Sequence, residues 1–211
     1  MIIFVYGDNS FSASVKVEEM RQRYLDKFDV SGMNLVEFNA EKIGLGDALQ
    51  AIQSPPFISE KRMVILKDLL GKLKKKDDIE PWIEGLKKTP DSTIVILFDR
   101  EAVEKIEKHG LYKTLQVHPD FYKYPFPVLS GSQLTSWVRG YVKKINLNIQ
   151  DHLLQQTVGL VGNDLWQLSL ELDKLAAHAG SKPITEQMIS DLVRANFEDQ
   201  IFAFIDAVAS G

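Results

Sequence analysis

MIIFVYGDNSFS, residues 1–12, contains an apolar run from Ile2 to Tyr6 that stops at Gly7. A short continuous apolar run bounded by a glycine is typical of a β-strand buried on both faces of a sheet. Further apolar residues then recur at helical spacing, at Val17, Met20, Tyr24 and Phe28. The chain therefore opens with a strand followed by a helix, the unit from which parallel sheets are built.

The same alternation continues through the first half of the chain. Further strands are predicted over residues 34–38, 62–66, 93–98 and 121–124. Helices are expected between them, including a single helix from about Val103 to Leu115. Tyr124-Pro125-Phe126-Pro127 fits an extended linker because neither proline suits a helix. The pattern predicts an α/β domain with a mostly parallel sheet over residues 1–127.

From Ser130 onward, the apolar residues follow helical spacing only. Ser130 and Gln133 have the spacing of a capping box, in which both side chains pair with free backbone N–H groups. The pattern predicts a small all-helical domain over residues 128–195, and a further apolar helix beginning near Phe197.

Composition excludes several classes of function. The chain has 211 residues, a formal net charge of −4 and no cysteine, which excludes disulfides, cysteine nucleophiles and cysteine-based metal sites. The missing cysteine fits a reducing cytoplasm. No run approaches the roughly 18 apolar residues of a membrane span, so we expect a cytoplasmic protein that does not contact membrane. The acidic balance confines any contact with DNA to a local patch.

Nucleotide hydrolysis is disfavoured by the segment after the first strand. A phosphate-binding loop reads G-x-x-x-x-G-K-[ST], whereas residues 7–14 read GDNSFSAS, without a second glycine or a lysine. Asp68 and Asp99 follow later strands like magnesium-binding carboxylates, but polar residues commonly follow buried strands. The residues predict no catalytic, cofactor or metal site, and a divergent nucleotide-dependent ATPase remains the alternative.

The segment that most suggests binding is residues 53–62, QSPPFISEKR. Two prolines stiffen it, and Phe57 and Ile58 follow where a loop would be expected to be polar. One interpretation is that both side chains fold inward and close the edge of the sheet. The other is a rigid apolar tip that enters a pocket of a partner, since a preorganised aromatic side chain loses little entropy on binding.

A second binding candidate is a lysine run, formed by Lys72, Lys74, Lys75 and Lys76. Such runs are usually solvated loops, but they also bind DNA phosphates or an acidic partner. A DNA-binding module that uses this run is therefore a second alternative function.

Taken together, four segments resemble the delta subunit of the bacterial DNA polymerase III clamp loader. They read FVYGDNSF at residues 4–11, LQAIQSPPF at 49–57 running into KRMVIL at 61–66, VGNDL at 161–165 with Glu171-Leu172 and Lys174-Leu175, and KPIT at 182–185 leading to Ile201-Phe202. Their order and spacing extend the resemblance over almost the whole chain. At Pro56 the family often has leucine, and at Trp166 it often has arginine.

The resemblance implies an AAA+-like fold without nucleotide binding, in a non-catalytic subunit that binds and helps to open the DNA sliding clamp during replication. It places the clamp-binding residues at Pro56 and Phe57, with Ile58 alongside. It further implies other loader subunits that hydrolyse ATP, and indirect contact with DNA within a polymerase holoenzyme. Residues 196–211 would begin the family's helical collar domain, which this chain otherwise lacks.

Overall fold

The structure is a computed structural model that describes residues 1–40 and 42–195. It consists of two compact units, Met1–Val128 and a second unit that begins at Leu129. The predicted helix near Phe197 and the predicted start of a collar domain at residues 196–211 lie outside the described residues.

Within the described part of the first unit, five parallel strands form one sheet in the order β2-β3-β4-β1-β5. The strands are β1 Ile2–Tyr6, β2 Leu35–Asn39, β3 Arg62–Lys67, β4 Thr93–Asp99 and β5 Phe121–Pro125. Every residue of β4 is buried, which explains the unbroken apolar run from Ile94 to Phe98. The predicted strands are confirmed to within about one residue.

Helices cover both faces of the sheet. They are α1 Ser10–Phe28, α2 Leu45–Gln53, α3 Lys76–Lys87, α4 Val103–Lys108 and α5 Gly110–Leu115. Alternate strand residues face opposite sides, so Phe4 packs in one apolar cluster with α2, α3 and α5, and Val5 packs in another with α1. The sheet thus has a core on each face, as an α/β domain requires.

The single helix predicted from Val103 to Leu115 is wrong, because the chain becomes extended at His109 and divides it into α4 and α5. The His109 ring lies between two backbone groups. Its Nε2 is 2.8 Å from the carbonyl oxygen of Leu73, and its Nδ1 accepts a hydrogen bond from the N–H of Leu111. These contacts stabilise the break.

The second unit is helical in its described part, with α6 Gly131–Lys144, α7 Asp151–Val161, α8 Leu165–Ala179 and α9 Glu186–Leu192. Ser130 precedes α6 as predicted, but its side chain makes no capping hydrogen bond to the described residues, so the predicted capping box is wrong. Thr185 does cap α9, accepting from the N–H of Met188. No helix among residues 1–40 and 42–195 has the length and apolar character needed to cross a bilayer.

The parallel arrangement gives the sheet two distinct edges. Loops that precede strands lie at the amino edge, and loops that follow strands lie at the carboxyl edge. The segment between α2 and β3 and the turn between α1 and β2 are therefore together at the amino edge. The turn after β1, where a phosphate-binding loop would lie, is at the opposite edge.

Candidate partner-binding tip

Residues 54–61 form the candidate tip, which begins where α2 ends. The N–H and the hydroxyl of Ser54 both donate to the carbonyl oxygen of Gln50, at 2.9 and 2.7 Å. Pro55 and Pro56 follow and have no N–H with which to continue the helix. The chain therefore leaves α2 in a stiff, extended form.

Phe57 and Ile58 point largely into solvent. Their exposed fractions are 61% and 90%, whereas Pro56 is half-buried. The interpretation in which both side chains fold inward is therefore wrong. Ile58 also has a φ of 49°, a left-handed conformation that a β-branched residue rarely adopts. Such a conformation costs on the order of 1–3 kcal/mol and persists only where the surrounding structure imposes it.

Asn34 holds the main chain of the tip. Its side chain is buried, accepts from the N–H of Phe57, and donates through Nδ2 to the carbonyl oxygen of Phe57 at 2.9 Å. One amide side chain therefore satisfies both backbone groups of the residue whose ring is exposed. This two-point contact fixes the Phe57 backbone while it leaves the ring free to bind.

Asp29, at the end of α1, orients Asn34. Its Oδ2 accepts from the Asn34 backbone N–H at 2.7 Å, and its Oδ1 accepts from the Asn34 side chain and from the Ser31 hydroxyl. Burial alone would raise the pKa of Asp29, but these hydrogen bonds hold that pKa below its usual value. Asp29 is thus a carboxylate at neutral pH and remains an acceptor for Asn34.

Two further hydrogen bonds fix the second half of the tip. The Ser59 hydroxyl donates to the carbonyl oxygen of Phe28 at 2.7 Å, and the Tyr24 hydroxyl donates to that of Lys61 at 2.9 Å. Burial, with a smaller contribution from Asp29, raises the pKa of Tyr24 to about 12, so its proton is retained at neutral pH. These contacts hold the part of the tip that follows Phe57 against α1.

At the opposite edge, three N–H groups in and after the turn between β1 and α1 donate to oxygen atoms of the protein itself. Gly7 donates to the carbonyl oxygen of Asp99 at 3.1 Å and Asn9 to that of Phe126 at 3.0 Å, while the Asn9 side chain accepts from Ser12. Gly7 has a φ of 135°, and a Cβ there would lie 2.0 Å from the Phe126 oxygen. The turn is therefore in close contact with Phe126, just after β5.

The acids that follow β3 and β4 make contacts within the fold. Asp68 accepts two hydrogen bonds from the Arg100 guanidinium, at 3.1 and 2.6 Å. Asp99 is buried, and its Oδ1 accepts from the N–H of Leu70, while its Oδ2 has no hydrogen-bond partner among the described residues. Burial, reinforced by the charge of Asp68, raises the pKa of Asp99 to about 7.

Two lysines of the lysine run contact other groups of the protein. Lys72 donates to the carbonyl oxygens of Ala40 and Ile43, at 3.1 and 2.7 Å, and Lys76 pairs with Glu80 across one turn of α3. Lys74 and Lys75 are exposed. Within residues 1–40 and 42–195, no three histidine or acidic side chains lie close enough together to hold a metal ion.

Asn34 is the residue of the tip that sequence reasoning missed, since it was predicted to begin a strand. Asp29, Gly32 and Asn34 are typical turn residues, so a loop was readable there. The partner of Asn34, however, is Phe57, which lies 23 positions further along the chain. Nothing in the local pattern of either segment indicates that contact.

A known protein family matches much of the chain. The family described as DNA polymerase III, delta subunit, matches residues 4–120, more than half of the chain. The chain belongs to the DNA polymerase III delta-subunit family. The resemblance stated from its sequence motifs is thereby confirmed.

Individual relatives agree with this family. A DNA polymerase III subunit delta of Bacillus subtilis (strain 168) is 26% identical over 215 residues, covering 98% of this chain and 60% of the relative. A solved structure of a Bacillus subtilis DNA clamp loader delta protein has a TM-score of 0.64 at 24% identity, covering 99% of this chain and 62% of that one. This family member therefore spans about 60% of the length of these relatives.

A more distant solved structure shares the fold. Domain III of the Thermotoga maritima replication initiation protein DnaA has a TM-score of 0.51 at 12% identity, over 91% of this chain and 84% of that one. At this identity the likeness concerns the fold alone. The predicted fold class of this delta-family chain, an AAA+-like parallel sheet domain followed by helices, is confirmed.

Proposed function

We propose that this chain is the clamp-binding part of a delta subunit, and that it grips the DNA sliding clamp through Phe57, with Pro56 and Ile58 alongside. Other loader subunits would supply ATP hydrolysis, DNA would be met only indirectly in the holoenzyme, and the whole would act in the cytoplasm. Residues 1–127 would be the clamp-binding domain, residues 128–195 a helical lid-like domain, and residues 196–211 the start of the collar.

The observation that carries the proposal is the combination of a free ring and a fixed backbone at Phe57. The ring is 61% exposed, while both backbone groups of the residue are bonded to the buried Asn34 side chain. A partner that buries this ring gains its apolar area without paying to order the loop. Full burial of such a side chain is worth about 1.5–3 kcal/mol, so we expect Phe57 to dominate the contact.

A non-catalytic role is supported at the carboxyl edge. The N–H groups of Gly7, Asn9 and Ser12 already donate to oxygen atoms of the protein itself. A phosphate-binding loop works because such groups point at the ligand instead. Asp8 adds a negative charge at the same turn. We therefore expect no ATP binding by this chain, and a calorimetric titration with ATP and magnesium should show no heat of binding.

Clamp opening follows from binding only under one condition. A ring-shaped clamp with closed and open states shifts toward the open one by no more than the difference in its affinity for the two. The tip would supply the contact with one clamp subunit. The sheet domain that carries the tip would supply a rigid body against which the open state is held.

The test is a calorimetric titration of the cognate sliding clamp with this chain and with its Phe57→Ala variant. Truncation of a central aromatic contact costs about 2 kcal/mol or more, so the dissociation constant should rise roughly 30-fold. Tyr122→Ala is the matched control, because Tyr122 is another exposed aromatic of the same domain and lies on β5, three strands from β3. Equal affinities for the chain and its Phe57→Ala variant would remove Phe57 from this role.

A titration with duplex DNA in place of the clamp tests the alternative of DNA binding through the lysine run. Duplex DNA bound by Lys74 and Lys75 would lose affinity steeply as salt increases, and Lys74→Glu would weaken it further. Clamp binding through an apolar tip should change little with salt. Two of the four lysines already contact groups of the protein itself, which favours the clamp.

A further inference from the structure

A second loop beside the tip also exposes apolar side chains. Val30 and Met33, in the turn between α1 and β2, have exposed fractions of 90% and 65%. The turn is tight, because the N–H of Gly32 donates to the carbonyl oxygen of Asp29 at 2.9 Å, and Gly32 has a φ of 72°. Val30 occupies the first of its two central positions, where its side chain is pushed outward.

This turn and the tip are joined into one structure. Asn34 ends the turn and binds both backbone groups of Phe57. On the other side of the turn, Phe28 accepts the hydrogen bond from Ser59. The contacts at both ends keep the exposed side chains of the turn beside those of the tip, in a fixed arrangement. Single exposed apolar residues are ordinary on protein surfaces, but two such pairs on rigidly linked loops form a patch.

The two exposed apolar side chains of the tip are by themselves too small a contact area for a specific complex. Two side chains of the size of Phe57 and Ile58 expose on the order of 300 Å². Each partner in a standard stable interface buries about 800 Å². We therefore expect the clamp to contact more of the surface around Phe57, and the turn provides further exposed apolar side chains on a segment that is hydrogen-bonded to the tip.

We infer that Val30 and Met33 form a second apolar contact for the sliding clamp, so that the clamp binds a two-loop surface made of residues 29–34 and 54–61. The inference rests on the proposed function. In this arrangement, Phe57 supplies the first apolar contact with the clamp, and the turn supplies the second. Asn34 and Asp29 couple the two contacts without touching the clamp themselves.

The experiment is a titration of the cognate clamp with the 211-residue chain and with its variants Val30→Ser, Met33→Ser and the double variant. These side chains are exposed, so the substitutions should leave the thermal unfolding midpoint unchanged. We expect each single variant to weaken binding about 3-fold and the double variant roughly tenfold. Val117→Ser is the matched control, since Val117 is exposed on the same domain outside both loops, and its affinity should equal that of the parent chain.

The outcomes separate this inference from the proposed function. If the parent chain binds and Phe57→Ala weakens it, but Val30→Ser with Met33→Ser binds as well as the parent, the two-loop surface is wrong and the single tip remains. If the parent chain does not bind the clamp, or Phe57→Ala binds equally well, the proposed function itself is wrong. Weakening by Val117→Ser as strong as by the double variant would also overturn the inference, because it would show a loss unrelated to these loops.

Discussion

The loops at the two edges of the sheet expose different groups to solvent. At the carboxyl edge, the turn after β1 has the N–H groups of Gly7 and Asn9 bonded within the protein and is packed against the chain at Phe126. At the amino edge, the tip also has its backbone bonded internally, through Asn34, but it leaves the Phe57 ring in solvent. Hydrogen bonds hold both loops, and the loops differ in the apolar side chains that they expose.

That difference supports the proposed binding role of the amino edge. In parallel α/β sheets, small ligands are usually bound at the carboxyl edge, where loops and helix N-termini present free polar groups. Here Gly7 and Asn9 of the carboxyl-edge turn donate their N–H groups within the protein. In our account, the surface that binds the partner is apolar and lies at the amino edge. An AAA+-like domain thus acts in our account as a scaffold for a contact.

The largest effect that we expect at the carboxyl edge comes from Asp99→Asn. The pKa of Asp99 is raised to about 7, against a usual value near 3.8 in the unfolded chain. Between pH 4 and pH 7, the folded chain therefore holds a proton that the unfolded chain releases, and stability falls as pH rises. About three pKa units at about 1.4 kcal/mol each set an upper limit of about 4 kcal/mol.

Asparagine has no such proton, so the variant lacks this loss of stability. Its free energy of unfolding, relative to the parent chain, should increase from pH 4 to pH 7 and stay constant above. Urea unfolding of both chains across this range measures it. Parallel pH curves would show that Asp99 titrates normally in the folded chain. Because Asp99 lies at the opposite edge from the tip, clamp affinity at pH 7.5 should be unchanged.

A smaller effect distinguishes the two edges more directly, through a pair of buried asparagines. Asn34 fixes the tip, and Asn9 caps α1 at the carboxyl edge. Each change to alanine should lower the free energy of unfolding by about 1–2 kcal/mol. Only Asn34→Ala should weaken clamp binding, by about fivefold, because Phe57 must then be ordered on binding.

Thermal unfolding and clamp titration of both variants, at a temperature where each is folded, give the two quantities separately. A loss of affinity for Asn9→Ala as large as that for Asn34→Ala would mean that affinity follows general stability. In that case the anchoring of Phe57 would have no specific role in binding.

The fold was largely readable from the sequence because buried parallel strands leave a continuous signal. Residues of β1 and the run from Ile94 to Phe98 in β4 face apolar layers on both sides, so these stretches are apolar at every position. The division of the helix at His109 was missed, because it depends on a contact with Leu73, 36 positions earlier. Local periodicity does not register a hydrogen bond that acts across the fold.

The candidate site was readable in part. Two prolines before Phe57 and Ile58 indicated a stiff loop with apolar side chains, and the exposure of both agrees with that pattern. The means by which the loop is held was not readable, since Asn34, Ser59 and Tyr24 act through distant partners. Val30 and Met33 gave no signal either, because single apolar residues in a turn are common.

The most direct test of the central claim is hydroxyl-radical footprinting of the chain alone and with saturating cognate clamp. In the free chain, the exposed rings of Phe57 and Tyr122 should both be oxidised. Added clamp should strongly reduce oxidation of Phe57 and leave that of Tyr122 unchanged, because only the Phe57 ring leaves water. Oxidation of Phe57 at the same rate in the presence of bound clamp would contradict the account.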